Sequence, residues 1–186
     1  DKYNGLNYPE AGFIKGTVYA GRPFDPKNGT VSTTSSDVLI PAFIAAYSGK
    51  DAKSVNLNPF PGLSSILPNW RMTYDGLSKL PFFMKYFKSF TLSHAYQCTY
   101  SVGSFSSYSD WVAVGDGIGF SQDALSGNPC PSSPYNISSV TITEKFAPLI
   151  GVNATMNNNI TFNAEYRDAR TLSLNSSAGQ LVETST

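Results

Sequence analysis

F-T-L-S-H-A-Y-Q-C-T-Y-S-V, residues 90–102, alternates without a slip. Phe90, Leu92, His94, Tyr96, Cys98, Tyr100 and Val102 are large and mostly apolar, whereas Thr91, Ser93, Ala95, Gln97, Thr99 and Ser101 are small or polar. A period of two means a strand with unlike faces. The run is long against the usual strand of about 5–6 residues, and it exceeds the ~9–11 tilted residues that cross a bilayer core. One oily and one wet environment are expected.

The same pattern recurs on either side. Trp70, Met72 and Tyr74 alternate with Arg71, Thr73 and Asp75 until Gly76 stops the run. Downstream, Val140, Ile142 and Phe146 stand opposite Thr141, Thr143 and Lys145, and Pro148 is expected to interrupt. Ile150, Val152, Ala154 and Met156 then lead through Asn157-Asn158-Asn159 to a partner strand with Ile160, Phe162, Ala164 and Tyr166, continuing in phase to Leu172 and Leu174. Asn tolerates the left-handed conformations of tight loops, which makes this the clearest hairpin. G-Q-L-V-E-T-S-T at the end reads as another strand opening.

Elsewhere the chain is less regular. Residues 1–66 read as loop-rich, with one short strand over Phe13–Ala20 and one short helix; residues 67–186 read as the strand-bearing part. The helix follows the capping residues Ser35-Ser36-Asp37, takes Pro41 in its first turn and ends near Gly49. Ser54–Pro68 reads as a connection. In K-L-P-F-F-M-K-Y-F-K-S, Leu80, Phe83, Met84 and Phe87 fall at helical spacing with Lys79, Lys85 and Lys88 beside them, as in an interfacial helix. A weaker strand is expected through Tyr108, Trp111, Val112 and Val114, then a long Gly/Pro/Ser loop over 115–136.

Composition agrees with a chain of two solvents. Of 186 residues only 14% are charged, against ~25% in soluble domains, and 13% are aromatic. Thirteen basic and thirteen acidic residues cancel, so no electrostatic grip on nucleic acid is expected. The longest apolar run, Val38–Tyr47, is about half of the ~20 residues a helical span needs, so a membrane reading rests on strands. The opening D-K-Y-N-G-L-N-Y-P has no signal-peptide pattern, and a processed or cleaved start is expected. Six or seven strands fall short of the about eight with which the smallest bacterial membrane barrels close. The fold class expected is all-β: antiparallel strands either in a soluble sandwich or in part of a much larger barrel, with short helices in the connections.

L-P-N-W-R-M-T-Y-D-G-L-S-K-L-P (67–81), F-K-S-F-T-L-S-H-A-Y-Q-C-T-Y-S-V-G-S (87–104), S-P-Y-N-I-S-S-V-T-I-T-E-K-F-A-P-L-I-G-V-N-A-T (133–155) and E-Y-R-D-A-R-T-L-S-L-N (165–175) strongly resemble the C-terminal part of the SprA (Sov) family. So does G-T-V-S-T-T-S-S-D-V-L-I-P-A-F-I-A-A-Y-S-G-K-D (29–51). These are the outer-membrane translocons of the type IX secretion system of Bacteroidota, which serves gliding motility and surface-protein export. Their great size belongs to the family and is not a count made from these strands. The resemblance implies a very large outer-membrane β-barrel exporting folded cargo. The implied partners are membrane lipid, a PorV-like shuttle barrel, a periplasmic plug protein and cargo bearing a C-terminal secretion domain; no cofactor is implied. It further implies that Phe90, Leu92, Tyr96, Tyr100, Val102, Val140, Ile142, Ile150, Val152, Ile160, Phe162 and Tyr166 face lipid or a neighbouring barrel, while the small polar residues line an aqueous lumen.

Chemistry has little material. His94 is the sole histidine, too few for a triad or a multi-histidine metal site, and its place in a strand gives it a structural role. Asp116, Asp123, Glu144 and Glu165 are candidate acids whose spacing singles out no pair; they read as solvated loop or lumen charge. Cys98 and Cys130 could share one disulfide if their Cα atoms lie within ~4.4–6.8 Å, which spacing leaves open. Sequons at Asn28, Asn136, Asn153, Asn159 and Asn175 read as turn and strand asparagines. The alternatives to a translocon are a soluble secreted β-sandwich adhesin or carbohydrate-binding module, a small ligand-carrying barrel and, last, an enzyme.

Overall fold

The computed structural model describes residues 3–28, 35–51, 60, 68–115 and 117–186. It is mostly antiparallel β-sheet with two short α-helices: α1 (Ser36–Ser48), β1 (Trp70–Tyr74), α2 (Pro81–Tyr86), β2 (Phe87–Val102), β3 (Phe105–Ser107), β4 (Val112–Gly115), β5 (Ile118–Gln122), β6 (Pro129–Ser132), β7 (Tyr135–Ile137), β8 (Ser139–Met156), β9 (Thr161–Asn175) and β10 (Gln180–Ser185). Among the described residues three sheets form, ordered β1-β2-β8-β9-β10, β3-β7 and β4-β5-β6. Among the described residues no helix is long and apolar enough to cross a membrane.

The chain divides into two compact units: Asp1–Pro61, Val102–Val140 and Leu174–Leu181 form one, and Gly62–Ser101, Thr141–Ser173 and Val182–Thr186 the other. This cuts across the expected boundary near residue 66. The cause is an aromatic core in the first unit, where Tyr3, Tyr8, Ile14 and Phe24 from the loop-rich start close on Phe120 of β5. Ring centroids lie 4.9 Å apart for Tyr8–Phe120 and 5.6 Å for Tyr3–Phe120. Tyr3 Oη donates to the Gly119 carbonyl at 3.0 Å, and burial pushes its hydroxyl up to about 12. The strand expected over Phe13–Ala20 is absent: Gly12–Ile14 is a 3-10 turn, and the isolated bridge Asn7–Pro23 is the β pairing recorded in this stretch. Here turns and buried rings override β propensity.

Helix α1 starts after Ser35 and ends at Gly49, whose φ of 65° is the left-handed cap that glycine suits. Pro41 sits in the second turn, not the first. The loop expected over 115–136 instead holds β5, β6 and β7, and the single weak strand before it is split into β3 and β4 around a turn at Tyr108–Trp111. Most of Ser54–Pro68, residues 29–34 of the resembling stretch, and Asp116 lie outside the described residues.

Strands β2, β8 and β9, most of each within the second unit, run 16, 18 and 15 residues, about three times the ordinary ~5–6. Pro148 does not interrupt β8. The pairing absorbs it: Thr143 meets Thr171 but Thr155 meets Thr161, twelve residues along β8 against ten along β9. A slip of two restores every side chain to its own face, whereas a slip of one would reverse them all. The β8–β9 hairpin closes over Asn157-Asn158-Asn159, with Asn159 left-handed at φ 66° and its N–H donating to the Met156 carbonyl at 3.0 Å. That is the three-residue loop in which the last position must tolerate positive φ.

Candidate functional site

The candidate site is the pair of faces of the long sheet. Residues directly opposite one another share a face, and β1 pairs Trp70 with Tyr96, Met72 with His94 and Tyr74 with Leu92. Trp70 stacks on Tyr96 with centroids 4.5 Å apart, and Phe146 of β8 lies 5.0 Å from Tyr96 and 5.9 Å from His94. His94 Nδ1 donates to the Leu149 carbonyl at 2.6 Å, a structural bond. On this bulky face no charged side chain occurs from Phe90 to Tyr96 on β2, from Ile150 to Met156 on β8, from Ile160 to Tyr166 on β9, or on β1.

Much of this face is bare. Met72, Phe162 and Tyr166 are 63%, 57% and 64% exposed, and Ile150, Ile160, Trp70 and Tyr74 are exposed too. Seven strand residues at about 3.3 Å each give roughly 20 Å of uncharged height, close to the ~25 Å apolar band of outer-membrane barrels. Phe83 and Phe87 pack on Phe90 at 4.9 and 5.5 Å and carry the band toward α2, where Phe82, Met84 and Tyr86 are exposed beside Lys79, Lys85 and Lys88. Asn157 Nδ2 donates to the Lys85 carbonyl at 2.8 Å, which ties the end of α2 to the hairpin.

The twelve positions expected to face lipid or a partner therefore separate. Ile150, Ile160, Phe162 and Tyr166 are exposed, and Phe90, Leu92, Tyr100, Val102 and Val152 are half-buried. Tyr96, Val140 and Ile142 are corrections: at 4%, 0% and 3% exposed they are enclosed by the protein itself. Tyr96 is covered by Trp70 and Phe146, and its Oη donates to Glu144 Oε1 at 2.8 Å. Glu144 is not a lumen charge either. It stands on the bulky face, where Arg170 grips Oε2 through Nη2 at 2.6 Å and Nε at 3.0 Å. Periodicity alone could not reveal this cluster, because its partners come from three strands. Trp70, Met72, Tyr74 and Phe146 belong to the face although the expected set omits them, and their alternation was the available signal.

The opposite face carries hydroxyls. Thr141 and Ser173 meet at 3.0 Å, and Thr143 and Thr171 at 3.4 Å. Such Thr and Ser pairs satisfy one another across strands and offer water little to repel. A hollow of about 190 Å³ is lined by Gln97, Thr99, Thr143 and Lys145, and another of about 410 Å³ lies between Arg71 and Lys145.

Among the described residues no two of the candidate acids Asp123, Glu144 and Glu165 pair. Glu165 is held by Arg167 on the polar face at 2.6 Å, opposite to Glu144. Asp123 sits in a surface turn, where N–H and hydroxyl bonds from Ser126 hold its carboxyl below the usual range. Cys98 is buried in β2, Cys130 is half-buried in β6, and no disulfide joins them. Burial and the nearby Asp123 and Asp37 push the Cys130 thiol up, which favours the protonated form. Among the described residues no three His, Cys, Asp or Glu side chains are placed to hold a metal ion. No protein-family model matches the chain, and a search of curated proteins returns no match.

Proposed function

We propose that this chain supplies strands to the wall of a wide outer-membrane β-barrel that exports folded proteins, as its resemblance to SprA-like translocons implies. One observation carries the reading: in strands of 15–18 residues, a bulky face that is uncharged and largely bare over about seven residues of each strand backs directly onto a hydroxyl-lined one. A soluble sandwich would bury the bulky face against a second layer. Water on both sides would leave Met72, Ile150, Ile160, Phe162 and Tyr166 as an apolar patch of the kind soluble monomers avoid.

On this reading lipid meets the bulky face, and a passenger protein slides along hydroxyls that hydrogen-bond weakly and reversibly. The work is mechanical, without a catalytic residue or cofactor. The shuttle barrel, the plug and cargo with its C-terminal secretion domain are partners of the whole assembly, and none is assigned to a residue here. Carbonate washing followed by detergent phase separation of cells producing the protein tests the reading. Retention in the washed outer membrane and transfer to the detergent phase are expected. Recovery in the aqueous phase, without detergent and monodisperse, would overturn it in favour of a secreted adhesin.

A further inference from the structure

The polar face is not uniform. Where β1, β2 and β8 run side by side, Ala95 and Ala147 leave a hollow of about 410 Å³ between two long cationic side chains, Arg71 and Lys145. Its polar lining is completed by the carboxamides of Asn69 and Gln97, and no carboxylate lines it. Among the described residues neither Arg71 nor Lys145 has an ion-pair partner, whereas the ion pairs this sheet does form, Arg167–Glu165, Arg170–Glu144 and Arg170–Glu183, are closed within it. Asn69 Oδ1 is occupied by the Cys98 N–H at 2.7 Å, which leaves its NH₂ as a donor. The site thus gathers donors and positive charge around a floor of methyl groups.

We propose that this hollow binds carboxylate side chains of an acidic polypeptide segment. Guanidinium and ammonium groups would take the carboxylates, the first in bidentate fashion. The adjoining hollow, reached through the shared Gln97 and Lys145, adds Thr99 and Thr143. Amide and hydroxyl groups both donate and accept, so they suit the N–H and C=O of a peptide backbone, whereas a phosphate would use donors alone. A sugar would need an aromatic platform, but Trp70 and Tyr96, the aromatic residues that border this hollow, carry their rings on the opposite, bulky face, where they stack on each other. The inference is independent of the membrane reading, because the polar face is the same whatever covers the bulky one.

Fluorescence anisotropy of the chain in non-ionic detergent, with labelled hexaglutamate as probe, tests the site. Removal of two solvent-facing cations by Arg71→Gln with Lys145→Gln should weaken binding about tenfold, since each contributes a few-fold. The same loss of charge at Lys15 and Lys27 should leave affinity within about twofold. Near-UV circular dichroism checks that the variants keep their fold. The proposal is overturned if hexaglutamate does not bind, if hexaglutamine binds equally well, if the Lys15/Lys27 variant loses as much, or if tetragalacturonate or inorganic phosphate binds more tightly than hexaglutamate.

Discussion

Asp37 shows opposing effects resolved at one residue. It lies in the first turn of α1, where the helix dipole favours a carboxylate, and hydrogen bonds from Ser133 favour it further. Burial nevertheless wins and raises its carboxyl above the usual value. A native state that holds this proton more tightly than the unfolded chain gains stability below the ordinary carboxylate value of about 3.9, and loses it as pH rises through the raised one. Asp37→Asn keeps the shape and an acceptor oxygen but removes the charge. Thermal melts from acid to neutral pH should show a flatter pH dependence in the variant and a higher midpoint at pH 7 than in the parent. An unchanged slope would mean that water reaches the carboxylate freely.

Elements were legible where a pattern repeats locally. The alternation of 90–102, 70–74 and 160–174 marks β2, β1 and β9, Gly49 marks the end of α1, and three asparagines mark the hairpin. What stayed hidden depends on distant partners. Tyr3, Tyr8 and Phe24 sit in a stretch dense in turn residues, and only Phe120, about a hundred residues on, makes them a core. Strand β6 contains Pro129 and Pro131, which read as loop; it survives because it is an edge strand, where a missing N–H costs no ladder bond. Of the site, both faces were legible but the Tyr96–Glu144–Arg170 cluster was not, since side chains from three strands meet in it. At the hairpin the physics is local enough for a number. Asn159 holds φ 66°, so Asn159→Ala should cost about 1 kcal/mol in denaturant midpoint while Asn159→Gly stays within a few tenths. Equal effects would show that the loop has another solution.

For the molecule as a whole, the question is which solvent meets each face, and two neighbouring residues can decide it. Phe162 and Asn163 are consecutive on β9, both exposed, only about 3.3 Å apart along the strand, and on opposite faces. Phe162→Arg and Asn163→Arg each add one positive charge, so any difference between them reports the face alone. If lipid covers the bulky side, Arg at 162 must leave water for hydrocarbon at a cost of about 2–4 kcal/mol near the midplane, whereas Arg at 163 meets the lumen at almost none. Urea titration of the protein refolded into bilayers should then show a large loss for Phe162→Arg and little for Asn163→Arg. In a water-soluble domain both are surface changes within about 0.5 kcal/mol, and replacing an exposed Phe would if anything improve solubility. Two indistinguishable unfolding curves would therefore remove the oily side of the wall, and a loss confined to Asn163→Arg would turn the sheet inside out.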